Sequence, residues 1–282
     1  MTIHEIDVGL GGGSLLQVAN RSPVQMMSYV IDTPEGKTIL IDGGYRRPED
    51  AAHLRELIRE RGDRVDLWLF SHGHDDHYGA LLWLLEHTDS WDVEIGRLCF
   101  DFPPAEWFQS VEGGVYHAAL CALLEQLERH GIPYEPLTRG QILACGGMTV
   151  EVIKDSTGYE KYHSINDSSV ILRAHFPKRD VLFLGDLAAN SGRDFLEVCD
   201  HAQLRCDIVQ MAHHGQGGVD RAFYEVVQPK LCLYTAPDWL WDNNSGGGKG
   251  SGPWATLKTR QWMEDLGVEY SCPCAMGDYL LK

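Results

Sequence analysis

Apolar residues along the chain fall into short blocks of two kinds. Blocks of four to eight with alternating or continuous apolar character read as strands, and longer blocks with apolar positions three and four apart read as helices. Residues 3–8, 14–18 and 25–32 are strand-like, with residues 9–13 as a glycine turn. Pro34-Glu35-Gly36-Lys37 joins residues 29–31 to residues 38–41 as a hairpin. Pro48 opens a helix with Leu54, Leu57 and Ile58 on one face, and Gly62 ends it. A buried strand at 65–70, a leucine-rich helix at 78–86, a strand at 95–100 and an amphipathic helix at 115–130 complete the first half.

The second half repeats this grammar. Strands are expected at 149–153, 168–174, 181–184, 207–211 and 231–235, and helices near 193–201, 220–227 and 253–266. Residues 279–281 could close the chain as a last strand. Two β-rich halves, roughly 1–135 and 136–282, with helices outside predict one layered α/β domain of two sheets flanked by helices. Residues 243–252, rich in Gly, Ser and Asn, read as a mobile loop flanked by Trp239, Trp241 and Trp254.

Composition narrows the partners. The 282 residues carry a formal charge of −17, which disfavours attraction to nucleic acid or an anionic membrane. No apolar run approaches the roughly 20 residues that span a bilayer, and the N-terminus lacks a basic region followed by an apolar stretch, so the expected location is cytoplasmic. The eight cysteines are scattered without a CxxC pair and read as reduced thiols acting as small hydrophobes. The oligomeric state is not legible. Residues 9–14, Gly-Leu-Gly-Gly-Gly-Ser, lack the Lys-Ser/Thr of a phosphate-binding loop and read as a turn; GxSxG is absent, which removes the serine-hydrolase elbow.

The chemistry concentrates in Ser71-His72-Gly73-His74-Asp75-Asp76-His77, directly after the strand at 65–70. Imidazoles and carboxylates so densely placed suit zinc and similar cations, and make a poor core segment. The run resembles the HxHxDH signature of the metallo-β-lactamase superfamily. That resemblance implies an αββα sandwich with a binuclear site at one edge. It implies that His72 and His74 bind a first metal and Asp76 and His77 a second, with Asp75 at the variable position.

Further segments resemble the family's other motifs in order. Thr38-Ile39-Leu40-Ile41-Asp42-Gly43-Gly44 is similar to the first, making Asp42 a support for the metal loop. Val181-Leu182-Phe183-Leu184-Gly185-Asp186 is similar to the fourth, whose aspartate bridges the two ions. Val209-Gln210-Met211-Ala212-His213-His214-Gly215 is similar to the last, in which either His213 or His214 would be the ligand and the other a supporting residue or a substrate contact.

The third motif departs. In place of the usual histidine the chain reads His163-Ser164-Ile165-Asn166-Asp167-Ser168-Ser169. This form resembles a subfamily that includes the nuclease-like domain of DNA-uptake competence proteins and some phosphorylcholine esterases. Asn166 replaces the histidine or His163 fills its place, and either choice leaves the first metal with fewer protein ligands.

The activity implied is hydrolysis by a hydroxide shared between two divalent ions, zinc before manganese or iron. Asp76 would also orient the water, and Tyr78, His163 and Asn166 are candidate contacts to substrate oxygens. The expected substrate is a small phosphodiester or related phosphoester. Tryptophan faces near residues 239–254 suit a cationic headgroup. A lactonase or thioesterase on the same site, or a non-catalytic metal-binding sensor, are the alternatives.

Overall fold

The structure is a computed structural model and describes residues 2–282. Strands β1 (Ile3–Ile6), β2 (Ser14–Gln17), β3 (Ser28–Asp32) and β4 (Thr38–Asp42) precede helix α1 (Pro48–Arg59). Then come β5 (Arg64–Val65), β6 (Leu67–Phe70), α2 (Asp75–Glu86), β7 (Glu94–Ile95), β8 (Leu98–Phe100), α3 (Ala105–Ser110) and α4 (His117–Arg129). The remainder is β9 (Ile142–Cys145), β10 (Met148–Lys154), β11 (Ile171–His175), β12 (Asp180–Phe183), α5 (Ala189–Val198), β13 (Ile208–Gln210), α6 (Arg221–Val227), β14 (Leu231–Tyr234), α7 (Asp238–Trp241), α8 (Thr256–Asp265), β15 (Tyr270–Pro273) and β16 (Asp278–Leu281).

Two seven-stranded sheets result, in the orders β1-β16-β2-β3-β4-β6-β8 and β15-β14-β13-β12-β11-β10-β9. The alternation of strand side chains decides how they stack. Leu15, Ile31, Ile39, Ile41, Leu67 and Leu69 of the first sheet meet Val150, Val152, Leu172, Val181, Phe183 and Leu233 of the second in one buried cluster. The intervening residues point outward. Leu16, Val30, Leu40, Trp68 and Phe70 pack under Leu54 and Ile58 of α1, Leu81 and Leu85 of α2 and Leu123 and Leu127 of α4. Leu182, Val209, Cys232 and Tyr234 pack under Phe195 of α5, Phe223 of α6 and Met263 of α8. The product is an αββα sandwich, the layering expected from the sequence.

The last strand departs from a division into two sequence halves. β16 leaves the second half and inserts into the first sheet between β1 and β2. The eight cysteines are free, and Cys99, Cys206, Cys232, Cys272 and Cys274 are buried. Among the described residues no helix is long and apolar enough to cross a membrane.

β9, α3, α7 and β15 are elements the sequence pattern does not mark, and further differences lie at element ends. Residues 25–27 are not strand, because Met27 N–H donates to Asp76 O and the segment turns toward α2. Helix α2 starts at Asp75, so Asp75, Asp76 and His77 form its first turn instead of a loop. Two acidic residues at a helix N-terminus complement its partial positive charge. Ser168 ends a 3₁₀ turn over residues 165–168 instead of opening the strand, and β11 begins at Ile171. The Gly-rich segment at 243–252 folds on itself, with the amide N–H groups of Gly246 and Gly248 donating to Asn244 Oδ1.

Candidate metal centre

Parallel strands bring one set of loops together. β4 runs parallel to β6, and β12, β13 and β14 run parallel to one another. The segments leaving the carboxyl ends of these strands carry Asp42, His72 to His77, Asp186, His213 to His214 and Thr235. Gly185 makes the junction: a Cβ there would lie 2.9 Å from Ser71 Cβ, and its φ is +54°. A side chain would therefore push the Asp186 segment off the histidine loop. Behind it, the buried Gln210 donates to Gly185 O and Met211 O and accepts from Leu184 N–H, which ties the β12 and β13 ends together.

Two groups of ligand-capable side chains converge. Asp76, His77, Asp186 and His214 form one, and His72, His74 and Asp186 the other; within each group the atoms lie within 4.8 Å of one another. His72 Nε2 is 3.0 Å from His74 Nδ1. His77 Nε2 lies 3.3 Å from Asp186 Oδ1 and 3.7 Å from Asp76 Oδ1. His214 Nε2 lies 3.1 Å from Asp76 Oδ2 and 3.4 Å from Asp186 Oδ2.

In each histidine one ring nitrogen is occupied and the other faces the cluster. His77 Nδ1 is 2.8 Å from Asp42 Oδ2. Asp42, fully buried beneath the loop, also accepts from Ser71 N–H and Ser71 Oγ–H. His214 Nδ1 is 3.1 Å from Thr235 O and 2.9 Å from Thr235 Oγ1. His72 Nδ1 is 3.2 Å from Ser71 Oγ. His74 Nε2 is 2.8 Å from Glu112 Oε2. Such outer partners fix the tautomer and ring orientation of a metal-binding imidazole.

The charge balance calls for a cation. Asp42, Asp76 and Asp186 are all buried, and buried carboxylates are costly unless paired. Burial raises the Asp76 and Asp186 pKa values, but His77 and His214 outweigh it and hold both carboxyls below their ordinary range. Burial lowers the His77 pKa, but Asp186, Asp42 and Asp76 override it and hold it well above its ordinary value. Asp186 and Asp76 overcome burial at His214 and push it up to about 9. Protons on these imidazoles thus fill a role that a divalent ion would fill with the same atoms. Consistent with this, His77 Nε2 and Asp186 Oδ1 are buried without a hydrogen-bond partner.

The remaining sequence candidates divide. His213 and His214 both have positive φ, +52° and +54°; the turn throws His214 into the cluster and leaves the His213 side chain 30% exposed, with Nε2 3.9 Å from Asp186 Oδ2. Asn166 sits beside it, with Nδ2 3.5 Å from His213 Nε2 and Oδ1 buried and unpartnered. His163 is exposed and its side chain makes no hydrogen bond among the described residues, so it is not brought to the cluster. Tyr78 is buried among Phe70 and Phe102, a packing position. Trp239 and Trp254 pack together with ring centroids 4.7 Å apart, and Trp239 Nε1–H donates to Pro23 O. Ala255 N–H donates to Gln216 O, next to the histidine turn. Trp241 turns inward against Tyr234 and Arg260.

Three contacts at the site escaped the sequence reading. Gln25 Nε2 donates to Asp76 Oδ2 at 3.3 Å. Tyr116 packs its ring on His74, 4.4 Å between centroids. Glu112 reaches His74 from a separate 3₁₀ turn. None lies within a motif, and no local pattern marks them.

Comparison with known proteins agrees with this geometry. Residues 21–261 match the profile of the Metallo-beta-lactamase superfamily. A metal-dependent hydrolase of Thermodesulfovibrio yellowstonii is 39% identical over 64 residues, which is 22% of this chain and 22% of that one. The metallo-beta-lactamase fold protein YhfI from Bacillus subtilis is 12% identical and superposes over 95% of this chain and 99% of its own, with a TM-score of 0.54. CmlA, a diiron beta-hydroxylase from Streptomyces venezuelae, is 14% identical over 93% of this chain, with a TM-score of 0.56; the chain spans 52% of CmlA. These two likenesses concern the fold.

Proposed function

Because the chain belongs to the metallo-beta-lactamase superfamily, we propose that it is a metal-dependent hydrolase acting on a small phosphodiester or related phosphoester. The observation that carries the metal part is the convergence of two ligand groups on Asp186, with His77 Nε2 and Asp186 Oδ1 buried and unpartnered. Asp76, His77, His214 and Asp186 would hold one divalent cation, and His72, His74 and Asp186 another. The imidazole-rich donor set favours zinc, with manganese or iron as substitutes; the two irons of CmlA belong to a relative of this fold. Bound there, divalent cations supply Lewis acidity and a water whose pKa is lowered to about 7.

The chain's own residues do the rest. Asp42, Thr235 and Ser71 hold the rings of His77, His214 and His72 in place. Asp76, held by Gln25 and His214, can orient a water as well as hold a cation. His213 and Asn166 lie side by side at the rim, where their N–H groups can donate to phosphoryl oxygens as charge develops there. The phosphoester preference rests on the Asn166-Asp167-Ser168-Ser169 and His213-His214-Gly215 forms. The charge of −17 argues for a small substrate over a polyanion. Trp239 and Trp254 offer faces for a cationic headgroup beside the histidine turn.

The test is metal content by mass spectrometry, on protein purified without chelator or added metal, followed by a substrate panel. Chromogenic phosphodiesters with and without a quaternary ammonium group are set beside chromogenic esters and lactones. Two ions per chain with turnover of the phosphodiesters is the expected result. Turnover of the esters or lactones alone transfers the site to carboxyl chemistry. Metal without turnover of any member leaves a sensor, and no metal after soaking removes the reading.

A further inference from the structure

We infer that Glu112 is a positioning residue that fixes the tautomer of His74 and clasps its ring to the turn carrying Asn166; the inference rests on the metal reading above. The carboxylate is shared between two elements. Oε2 lies 2.8 Å from His74 Nε2. Oε1 accepts from Ser164 Oγ–H at 2.8 Å and from Ile165 N–H at 2.9 Å. Ile165 opens the 3₁₀ turn that contains Asn166. One side chain therefore joins the histidine loop to the segment where this chain departs from the superfamily's third motif.

An ionised carboxylate only accepts hydrogen bonds. His74 must therefore carry its proton on Nε2 and present the lone pair of Nδ1. That atom is the one aimed at the cluster, 3.0 Å from His72 Nε2 and within the group formed with Asp186. Asp42 does the reverse for His77, taking the proton of Nδ1 and leaving Nε2 free. The two carboxylates thus select opposite nitrogens of two imidazoles, each leaving the one that faces the site.

The backbone supports a selected position. Glu112 has φ of +50°, a conformation that a side-chain-bearing residue holds only where its surroundings impose it. The clasp also matters more here than it would with a third histidine. Asn166 stands where such a ligand is expected, so the group of His72, His74 and Asp186 has fewer strong donors than its neighbour. A misoriented His74 would leave it with two.

The experiment compares wild type with Glu112→Gln and Glu112→Ala in the full chain. Long-range 1H–15N spectra of metal-free protein read the histidine tautomers, and native mass spectrometry follows added zinc. In Glu112→Gln the amide oxygen can keep the Ser164 and Ile165 contacts while its NH2 donates to His74 Nε2. Wild type should show the Nε2–H form of His74, and Glu112→Gln the Nδ1–H form. The variant should fill one site as wild type does and bind the second zinc about 10- to 100-fold more weakly. Glu112→Ala should give mixed tautomers and the same weakened site. A wild-type His74 in the Nδ1–H form, or a Glu112→Gln protein with wild-type affinity for both zincs, overturns the proposal. Wild type that takes up no zinc overturns the metal reading instead, and the tautomer spectra still decide for or against Glu112.

Discussion

Lys154 is a buried ammonium whose cost can be read from the pH dependence of stability. It ends β10 at a register shift against β11 and is 8% exposed. Its Nζ donates to the carbonyls of Asp155, Asp167 and Ser169, which holds the C-terminal side of the turn that carries Asn166 against the end of β10. Burial pushes its pKa down to about 8, against the pull of Asp155, Asp167 and Asp101. In the unfolded chain the pKa returns to about 10.4, so between these values the unfolded state binds more protons and stability rises with pH. The penalty is fully present below the folded value and fades toward the unfolded one. Integrated from pH 7 to pH 10, the change is about 2 kcal/mol in favour of the folded state. Other groups titrate in this window, so the measurement is a difference. Urea unfolding of wild type and Lys154→Met is followed at each pH, and the midpoints are converted to free energies. Loss of the three carbonyl contacts shifts the variant by an amount that does not depend on pH. The wild type should gain on the variant by about 2 kcal/mol across the window. A flat difference, or one that moves the other way, would refute the desolvation of Lys154.

Two further outcomes separate roles within the site and the fold. His214→Ala removes a buried donor and should cut bound zinc from two per chain toward one. His213→Ala should keep both ions and lower kcat by about 10²- to 10³-fold, the range for loss of a transition-state donor; equal metal loss in both variants would cancel the division. Gly79→Ala should destabilise by about 1–3 kcal/mol through overpacking, although alanine favours a helix. A Cβ there would sit 2.4 Å from Arg46 N, forcing α2 away from the segment after β4. Thermal unfolding reads the sign, and an unchanged or raised midpoint would show that the contact relaxes freely.

The layers were legible because strand alternation is a local property. Within β4, facing needs no long-range information: Ile39 and Ile41 face the opposite sheet while Leu40 faces the helices, as their spacing requires. What local pattern could not assign was membership. β16 is four residues long and follows β15 closely, yet it pairs with β1 and β2 at the other end of the chain. Its place between β1 and β2 is set by pairings across the length of the chain, which no local pattern carries. The start of α2 is hidden for a related reason. Asp75 and Asp76 look like loop residues in a sequence, but acidic side chains are favoured at a helix N-terminus.

At the site, the same reasoning separates what a motif encodes from what the fold decides. His72, His74, Asp76 and His77 are legible together because four side chains within six consecutive residues supply atoms to two groups that share Asp186. His213 and His214 are adjacent and chemically identical, so composition cannot rank them. Consecutive positive φ values rank them, turning His214 toward Asp76 and Asp186 and His213 toward Asn166. Glu112 lies still further from local inference. It is separated from His74 by 38 residues and belongs to none of the motifs. Only the packing of α3 and α4 beside the histidine loop delivers its carboxylate to His74 and Ser164. A ligand motif therefore specifies which donors are present. The identity of the nitrogen each imidazole offers is set by acceptors that the motif does not contain, Asp42 for His77 and Glu112 for His74.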